Sequence, residues 1–301
     1  MDRGMQPESL SVGVMITSYN TWELSLECAQ ACLAVDGERL KQVLVYDDCS
    51  PQMRTVEFPE QVTVHRAAEN TGLSRALNVA YGMMKTDVVV QYDSDAYPLA
   101  PFAERLQALF AADPKLGIVG FRTTGRQGQR TESSMKEPNL WGLLLGQALF
   151  ARLERWLGDQ RGRINITMCS MGVRKAAFDA IGGFDEGLDF LDIDQDFSMR
   201  MRRGGWKVMV CEDLHAFHEG GGTQTKGSRR LLLFYKARWY LLRKFGKVPA
   251  PALVKALILL RLRVELVVLQ VLGGKLFPDA ETRADKLKSR RDLIAFCREH
   301  Y

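Results

Sequence analysis

The chain has 301 residues, 46% of them hydrophobic and 26% charged, which is an ordinary balance for a globular protein with a sizeable core. Its net charge of +5 is compatible with an anionic substrate, an anionic membrane surface or nucleic acid, and selects none of them. The start has no apolar signal segment and no run of about 18 apolar residues occurs, so we expect a cytoplasmic protein without a spanning helix.

The six cysteines are scattered along the chain, with no Cys-x-x-Cys pair and no zinc-like spacing. Free thiols in a reducing compartment are the simplest interpretation of this pattern.

The first third of the chain predicts strands that alternate with helices. The predicted strands are Ser11–Thr17, Gln42–Tyr46, Val62–Val64 and Val88–Tyr92, and the helices are Thr21–Leu33 and Arg75–Met84. This alternation implies crossover connections and therefore an α/β fold with a mostly parallel sheet.

Polar clusters follow three of these strands, at Thr17–Asn20, Asp47–Asp48 and Asp93–Asp95. Ligands of such sheets bind beyond the carboxyl ends of the strands, so we expect one pocket lined by all three clusters. Two acids separated by one residue suit a divalent cation that holds a nucleotide diphosphate. A capped strand end followed by a turn explains the same acids without a ligand.

The middle of the chain predicts further elements in the same order. They are a helix at Pro101–Ala112, a strand at Gly117–Phe121, a loop at 122–138, an amphipathic helix at Trp141–Leu157, a strand within Ile164–Arg174 and a short helix at Lys175–Ile181.

An acidic cluster precedes an arginine-rich helix after a Gly-Gly-Phe-Asp-Glu break at 182–186. Its members are Asp189, Asp192, Asp194 and Asp196. Acids at a helix start are stabilised by the helix dipole, which explains one or two of them. Four acids followed at once by three arginines indicate a role beyond capping.

A last strand at Trp206–Val210 leads to His218, which is followed by three glycines at 220–222. Glycines allow close backbone approach, so His218 is a candidate metal or phosphate ligand. A purely structural histidine is an equal alternative.

The composition changes after residue 227, where helices at Leu231–Phe245 and Ala250–Val271 mix aliphatic residues with lysine and arginine. We expect two domains, 1–227 and 228–301. A basic amphipathic segment predicts peripheral contact with a membrane through residues 229–272. Helices packed on the main domain, or a homodimer contact, explain the same pattern.

The order of motifs from Val12 to Thr223, about two-thirds of the chain, resembles that of family 2 glycosyltransferases of the GT-A fold. The motifs are Thr17-Ser18-Tyr19-Asn20, Val45-Tyr46-Asp47-Asp48-Cys49-Ser50, Asn70-Thr71-Gly72-Leu73-Ser74-Arg75-Ala76-Leu77-Asn78, Asp93-Ser94-Asp95, Gly182-Gly183-Phe184-Asp185-Glu186 and Asp194-Gln195-Asp196-Phe197-Ser198-Met199-Arg200. The His218 segment before glycines is similar to that of rhamnosyltransferase-like enzymes of bacterial surface polysaccharide assembly. Ile193 stands where the family often has glutamate.

The resemblance implies a GT-A catalytic domain, a Rossmann-like mixed sheet, followed by a C-terminal helical extension. It implies transfer of a sugar, with inversion, from a UDP-, dTDP- or GDP-sugar to a hydroxyl of a glycan or lipid-linked acceptor, in cell-surface polysaccharide or glycolipid assembly. It also implies Mg²⁺ or Mn²⁺ as cofactor, and no nucleic-acid partner.

The resemblance also assigns roles to residues. The implied metal ligands are Asp95, His218 and Asp93, with the ribose as the other option for Asp93. The implied donor-binding residues are Thr17, Ser18, Tyr19, Asn20, Asp48, Arg75 and Asp93. Asp194 is the implied general base, with Asp192 as the alternative because of the departure at Ile193.

Two other classes of function remain open. A sugar nucleotidyltransferase of related fold typically opens with a Gly-rich basic loop, which Val12–Asn20 lacks. A non-catalytic membrane-surface scaffold on the same fold would not need Asp95, Asp194 and His218 together.

Overall fold

The computed structural model of the chain describes residues 9–54, 56–157, 162–218 and 228–301. The chain divides into two compact units. Unit 1 comprises Met1–Glu137, Gly162–Asp189 and Ile193–Gly222, and unit 2 comprises Pro138–Arg161, Phe190–Asp192 and Thr223–Tyr301. Unit 2 thus takes in two stretches that precede residue 228 along the chain, and the division into domains at 227 and 228 stays a prediction.

The described strands are β1 (Val12–Ser18), β2 (Leu40–Asp47), β3 (Val62–Arg66), β4 (Val88–Asp93), β5 (Ala96–Pro98), β6 (Leu116–Thr124), β7 (Ser134–Lys136), β8 (Arg163–Ile166), β9 (Ser170–Arg174) and β10 (Lys207–His218). The described helices are α1 (Trp22–Asp36), α2 (Leu73–Met83), α3 (Ala103–Ala112), α4 (Trp141–Leu144), α5 (Gln147–Leu157), α6 (Lys175–Ala180), α7 (Ile193–Arg203), α8 (Ser228–Lys244), α9 (Pro251–Leu276) and α10 (Ala280–His300).

Unit 1 is built on a mixed sheet whose described strands have the order β3-β2-β1-β4-β9-β6-β10-β5. Strand β1 pairs in parallel with β2 and β4, and β2 pairs in parallel with β3, as the alternation of strands and helices predicts. Strand β9 runs antiparallel between β4 and β6, and β5 runs antiparallel to β10. The predicted α/β fold is confirmed, with β9 and β5 as its antiparallel members.

The core of this unit lies where the β-branched runs of the central strands meet α1 and α3. Val14, Ile16 and Val90 are completely buried, and Cys28 and Cys32 of α1 pack against them. Alternating side chains of a central strand are covered on both faces in such a sheet, which is why these strands are apolar throughout. All six cysteines are free thiols, as expected from their spacing.

The predicted strand Trp206–Val210 corresponds to the first part of the longer β10, and three other predicted elements are divided or replaced in the structure. The predicted helix Trp141–Leu157 is two helices, α4 and α5, separated at Gly146, whose φ of 84° is left-handed and interrupts a helix. The predicted strand Ile164–Arg174 is two strands, β8 and β9, and the predicted loop at 122–138 contains β7, which pairs with β8.

Unit 2 consists of α4, α5 and the three C-terminal helices around a second apolar cluster. Its buried members are Leu143, Phe234, Tyr235, Trp239, Leu242, Val248, Val254, Ile258, Leu262, Leu293, Ile294 and Cys297. Helix α10 begins at an N-cap, Asp279, whose carboxylate accepts hydrogen bonds from the amides of Glu281 and Thr282. Among the described helices, none has the length and apolar character needed to cross a bilayer.

Candidate functional site

The register of three parallel strands brings the predicted polar clusters side by side. Thr17 of β1 pairs with Tyr46 of β2 on one side and with Asp93 of β4 on the other, and Ser18 pairs with Asp47. Strands β1, β2 and β4 therefore end side by side at the same edge of the sheet. The structure brings Thr17, Asp47 and Asp93 together, as the sequence predicts.

Asp47, for which the sequence predicts a place in the pocket but no individual role, connects the first two of these strand ends. Its carboxylate is fully buried and accepts hydrogen bonds from the amide and hydroxyl of Ser50. The Ser50 hydroxyl oxygen in turn accepts from the amide of Asn20 at 2.7 Å. Asn20 has a left-handed φ of 57°, which asparagine tolerates better than most residues, so the turn after β1 is held from β2. Tyr19 beside it is 49% exposed.

Asp48 is buried and faces the loop in front of α2. Its carboxylate accepts three hydrogen bonds of 3.0 Å, from the amide and hydroxyl of Thr71 and from the amide of Gly72. A carboxylate at this position also meets the favourable N-terminal end of the helix dipole. Asp48 thus holds the 70–72 loop, and its predicted contact with a base edge stays a prediction.

Arg75 and the Gly182–Glu186 segment meet on the side of α2. The Nε atom of Arg75 donates to Glu186 at 3.1 Å, and Asn78 donates to the same carboxylate at 3.2 Å. Both bonds lower the pKa of Glu186, and the bond from Asn78 has the larger effect. Both partners of the Arg75–Glu186 pair are exposed, so the pair is weak and Arg75 is accessible to an anionic ligand.

Gly183 is required where this segment approaches α2. Its φ is 72°, and a Cβ atom there would lie 2.5 Å from Oδ1 of Asn78. The same Oδ1 accepts the amide of Phe184 at 2.7 Å, and the Asn78 amide nitrogen donates to the Phe184 carbonyl. Because residue 183 is a glycine, the Asn78 side chain can approach closely enough to bond both the N–H and the C=O of Phe184, two residues before Glu186.

The predicted metal ligands lie together. Asp93 ends β4, the chain turns, and β5 begins at Ala96, which is the cross-strand partner of His218 at the end of β10. One ligand atom from each of Asp93, Asp95 and His218 lies within 4.8 Å of the other two. His218 Nε2 is 3.9 Å from Oδ1 of Asp95. The glycines at 220–222, which the sequence connects with His218, lie outside the described residues.

Two other acids, Asp95 and Asp194, act electrostatically on Asp93. Burial, and after it the negative charges of Asp95 and Asp194, together raise the pKa of Asp93 to about 7. Clustered carboxylates of this kind repel one another unless a cation offsets their charge. Two carboxylates and one imidazole form a donor set that suits Mn²⁺, and Mg²⁺ with retained waters. The residues present therefore fit a divalent cation.

Asp194 lies in the first turn of α7, where one carboxylate oxygen accepts the amide of Gln195 at 2.9 Å. The residues that position this helix were not singled out in the sequence. Gln195 bonds to Asn165 and to the carbonyl of Lys136, and the Ser198 hydroxyl accepts the amide of Ile166. The signal that could have identified them is the pair of polar residues Gln195 and Ser198, three positions apart on the face of α7 that β7 and β8 cover.

Asp192 and Asp196 are both engaged with arginines. Both carboxylate oxygens of Asp192 accept from Arg238, at 2.7 and 2.9 Å, and the pair is largely buried. Asp192 has a left-handed φ of 62° just before α7 begins. The fully buried Asp196 accepts from Arg200 at 2.6 Å, so Arg200 holds this acid in place.

Comparisons with known proteins agree with the motif order. Glycosyl transferase family 2 matches residues 13–182, more than half of the chain. No curated protein matches the chain. Among solved structures, TarS of S. aureus has a TM-score of 0.56 and 16% identity, over 96% of this chain and 53% of that chain.

Two further structures contain ligands. The mannosyltransferase PcManGT of Pyrobaculum calidifontis, in complex with GDP-Man and Mn²⁺, has a TM-score of 0.54 and 17% identity, over 95% of this chain and 87% of that chain. GalNAc-T7 with UDP, GalNAc and Mn²⁺ has a TM-score of 0.54 and 14% identity, over 76% of this chain and 48% of that chain. The chain thus spans about half the length of TarS and of GalNAc-T7.

At these identities the structures establish the fold, and they confirm the GT-A architecture expected from the sequence. The rhamnosyltransferase-like subtype stays a prediction. Because the family match extends over more than half of its residues, the chain belongs to glycosyl transferase family 2.

Proposed function

We propose that this protein transfers a sugar, with inversion at the anomeric carbon, from a nucleotide-diphosphate sugar to a hydroxyl of its acceptor. The observation that carries the proposal is the convergence of Asp93, Asp95 and His218, whose ligand atoms lie within 4.8 Å of one another at the strand ends. The residues suit a divalent cation, which when bound would offset the charge of the leaving diphosphate.

Asp194 is our candidate for the general base. Its charge acts on Asp93, which puts it within electrostatic reach of the cation ligands. Its carboxylate would take the proton of the acceptor hydroxyl as the oxygen attacks the anomeric carbon and the nucleoside diphosphate departs. Asp192 is less suited because Arg238 occupies both of its oxygens. This argument supports Asp194 over its neighbour.

The donor pocket is proposed at the joined ends of β1, β2 and β4. Thr17, Ser18, Tyr19 and Asn20 would lie against the base and ribose, and Arg75 against the base or diphosphate. Asp93 keeps the choice between the cation and the ribose. The PcManGT and TarS structures hold GDP-Man and UDP-GlcNAc respectively, so the candidate donors are GDP- and UDP-sugars as well as dTDP-sugars.

The acceptor is proposed to be a glycan or a lipid-linked glycan in cell-surface polysaccharide or glycolipid assembly. This proposal rests on the motif resemblance, including the His218 segment.

Calorimetry with UDP, dTDP and GDP, each with and without Mn²⁺, tests the proposal. We expect one nucleotide to bind in a Mn²⁺-dependent manner and the Asp95→Ala variant to lose that dependence. Asp213→Ala removes an exposed carboxylate of the same unit and serves as the control. Nucleotide binding that does not depend on Mn²⁺, or that Asp95→Ala leaves unchanged, would contradict the proposed cation site.

A further inference from the structure

Helix α9 exposes a row of large aliphatic side chains along its whole length. Between 45% and 74% of each residue in the row is exposed, and the row consists of Leu253, Leu257, Leu260, Val264, Val267 and Val271. Their spacing of three or four residues places them on one side of the helix, which we call the outer face of α9. At 1.5 Å per residue the outer face is about 27 Å long.

The core of unit 2 does not require this face. The opposite side of α9 buries Val254, Ile258 and Leu262 in the apolar cluster of unit 2, and Leu269 is buried on the same side. The helix is thus apolar on two sides, and only one of them is covered in the described structure. Contiguous exposed apolar surface of this length marks an interaction surface.

A second exposed apolar row lies on α5 of the same unit. Leu149, Leu153 and Leu157 are exposed there, and Trp156 is 81% exposed. Arg152 and Arg155 alternate with them. A largely exposed tryptophan is costly in water and favoured at the boundary between lipid and water, where its ring and its N–H find different surroundings.

The charge of the C-terminal region distinguishes two candidate partners of the outer face of α9, a lipid surface and a second copy of the chain. Residues 228–301 contain 17 lysines and arginines and six acids, a net charge of +11 in a chain whose total is +5. Two such units would repel each other across a shared interface, whereas the head groups of anionic lipids attract them. The basic charge therefore selects an anionic bilayer.

We propose that unit 2 binds the surface of an anionic bilayer, with α9 parallel to the membrane and its outer face inserted between the lipid acyl chains. The α5 row inserts beside it, with Trp156 at the head-group level. Arg263 and Lys275, which are exposed on α9, extend their charged ends to the head groups. This binding needs neither nucleotide nor cation, so it is independent of the proposed transfer reaction.

The structure also narrows the membrane segment expected from the sequence, residues 229–272. Helix α8 buries Phe234, Tyr235, Leu241 and Leu242, so its apolar residues serve the core of unit 2. The proposed contact is therefore the outer face of α9 together with α5, which precedes the expected segment in the chain.

Vesicle flotation of the full chain, without nucleotide, tests the proposal. We expect the protein to float with phosphatidylcholine vesicles containing about 30% phosphatidylglycerol and to bind much less to phosphatidylcholine alone. The double variant Leu260→Glu/Val264→Glu should lower the bound fraction more than tenfold, because two carboxylates would enter the acyl region. Leu99→Glu, at a residue 50% exposed in unit 1, is the matched control and should float like the wild type.

Brominated lipids provide a second measurement that needs no disruptive variant. They should quench the tryptophan emission of the wild type, and Trp156→Phe should remove most of that quenching. Failure of the wild type to float, or flotation that the double variant leaves unchanged, would overturn the proposal. A wild-type dimer in lipid-free buffer that the double variant converts to monomer, without vesicle binding by either, would assign the outer face to a second copy instead.

Discussion

Nε2 of His218 lies 3.9 Å from Oδ1 of Asp95, and strand register is the reason. Ala96 and His218 are opposite each other in the antiparallel pair of β5 and β10, so the acid before Ala96 and the imidazole share one end of the ladder. The two residues are more than 120 positions apart in sequence. A single backbone pairing therefore completes the candidate cation site.

We expect His218→Ala to weaken Mn²⁺-dependent nucleotide binding at least tenfold, because one of three protein ligands is removed. Isothermal titration with the nucleotide that the wild type binds is the measurement. His215→Ala, on the same strand but outside the ligand cluster, should bind as the wild type does. Equal losses in both variants would point to damage of the strand and contradict a ligand role for His218.

Asp194→Asn should retain donor binding and lower the rate of transfer by about 10²- to 10⁴-fold, the usual contribution of a general base. The asparagine preserves the shape of the side chain but cannot take a proton. Donor affinity by calorimetry and turnover by release of the nucleoside diphosphate separate the two effects. Asp194→Asn with normal turnover would remove Asp194 from the mechanism.

Asp192→Asn is expected to act on stability. It leaves the largely buried Arg238 without its charged partner, which costs ~2–4 kcal/mol in the free energy of unfolding. Denaturant midpoints measure the loss. The double variant Asp192→Asn/Arg238→Met should recover part of it, because no buried charge then lacks a partner; a single variant as stable as the wild type would contradict the assignment.

Gly183→Ala and Gly182→Ala form a matched pair. Both residues have left-handed φ values, of 72° and 77°, so both substitutions introduce backbone strain of ~1–2 kcal/mol. Only at Gly183 does the new methyl group meet a neighbour, Oδ1 of Asn78 at 2.5 Å. We expect Gly183→Ala to be the more destabilising by ~1–2 kcal/mol in urea unfolding. Similar losses at both positions would show that Asn78 moves away freely.

The contact between Ser11 and Asp87 predicts a dependence of stability on pH. The Ser11 hydroxyl and amide donate to the Asp87 carboxylate at 2.6 and 2.8 Å. Both bonds lower the pKa of Asp87, and the bond from the hydroxyl has the larger effect. A carboxyl with a lowered pKa in the folded state stabilises the fold above its unfolded pKa, near 4, and this contribution is lost as the pH falls further.

Ser11→Ala should therefore be less stable than the wild type at pH 7, by about 1 kcal/mol because the site is solvent-exposed. The difference should shrink as the pH falls below about 4, where Asp87 becomes protonated. Unfolding midpoints of both proteins across this range are the measurement. A difference that stays constant with pH would mean that the hydroxyl does not act through the carboxylate.

The local pattern of residues determined the strands and the composition of the candidate site. Strands β1 and β4 begin and end within one residue of their predicted bounds, because β-branched runs end abruptly at polar residues. The pair Asp93 and Asp95 was visible for the same reason. Helix α10 was predicted only as part of the C-terminal helical extension and without bounds, since 10 of its 21 positions are charged and only four are buried.

Only the tertiary structure decided which of several similar side chains meet. In the sequence Asp192 and Asp194 are two equivalent acids, two residues apart. Asp192 has a left-handed backbone and is held by its bidentate pairing with Arg238. Asp194 lies in the first turn of α7 and acts electrostatically on Asp93. Such choices depend on partners 46 or more residues away, and spacing along one chain segment carries no information about them. The sequence alone determined that acids and a histidine are present, and the register of the sheet determined that Asp93, Asp95 and His218 lie together.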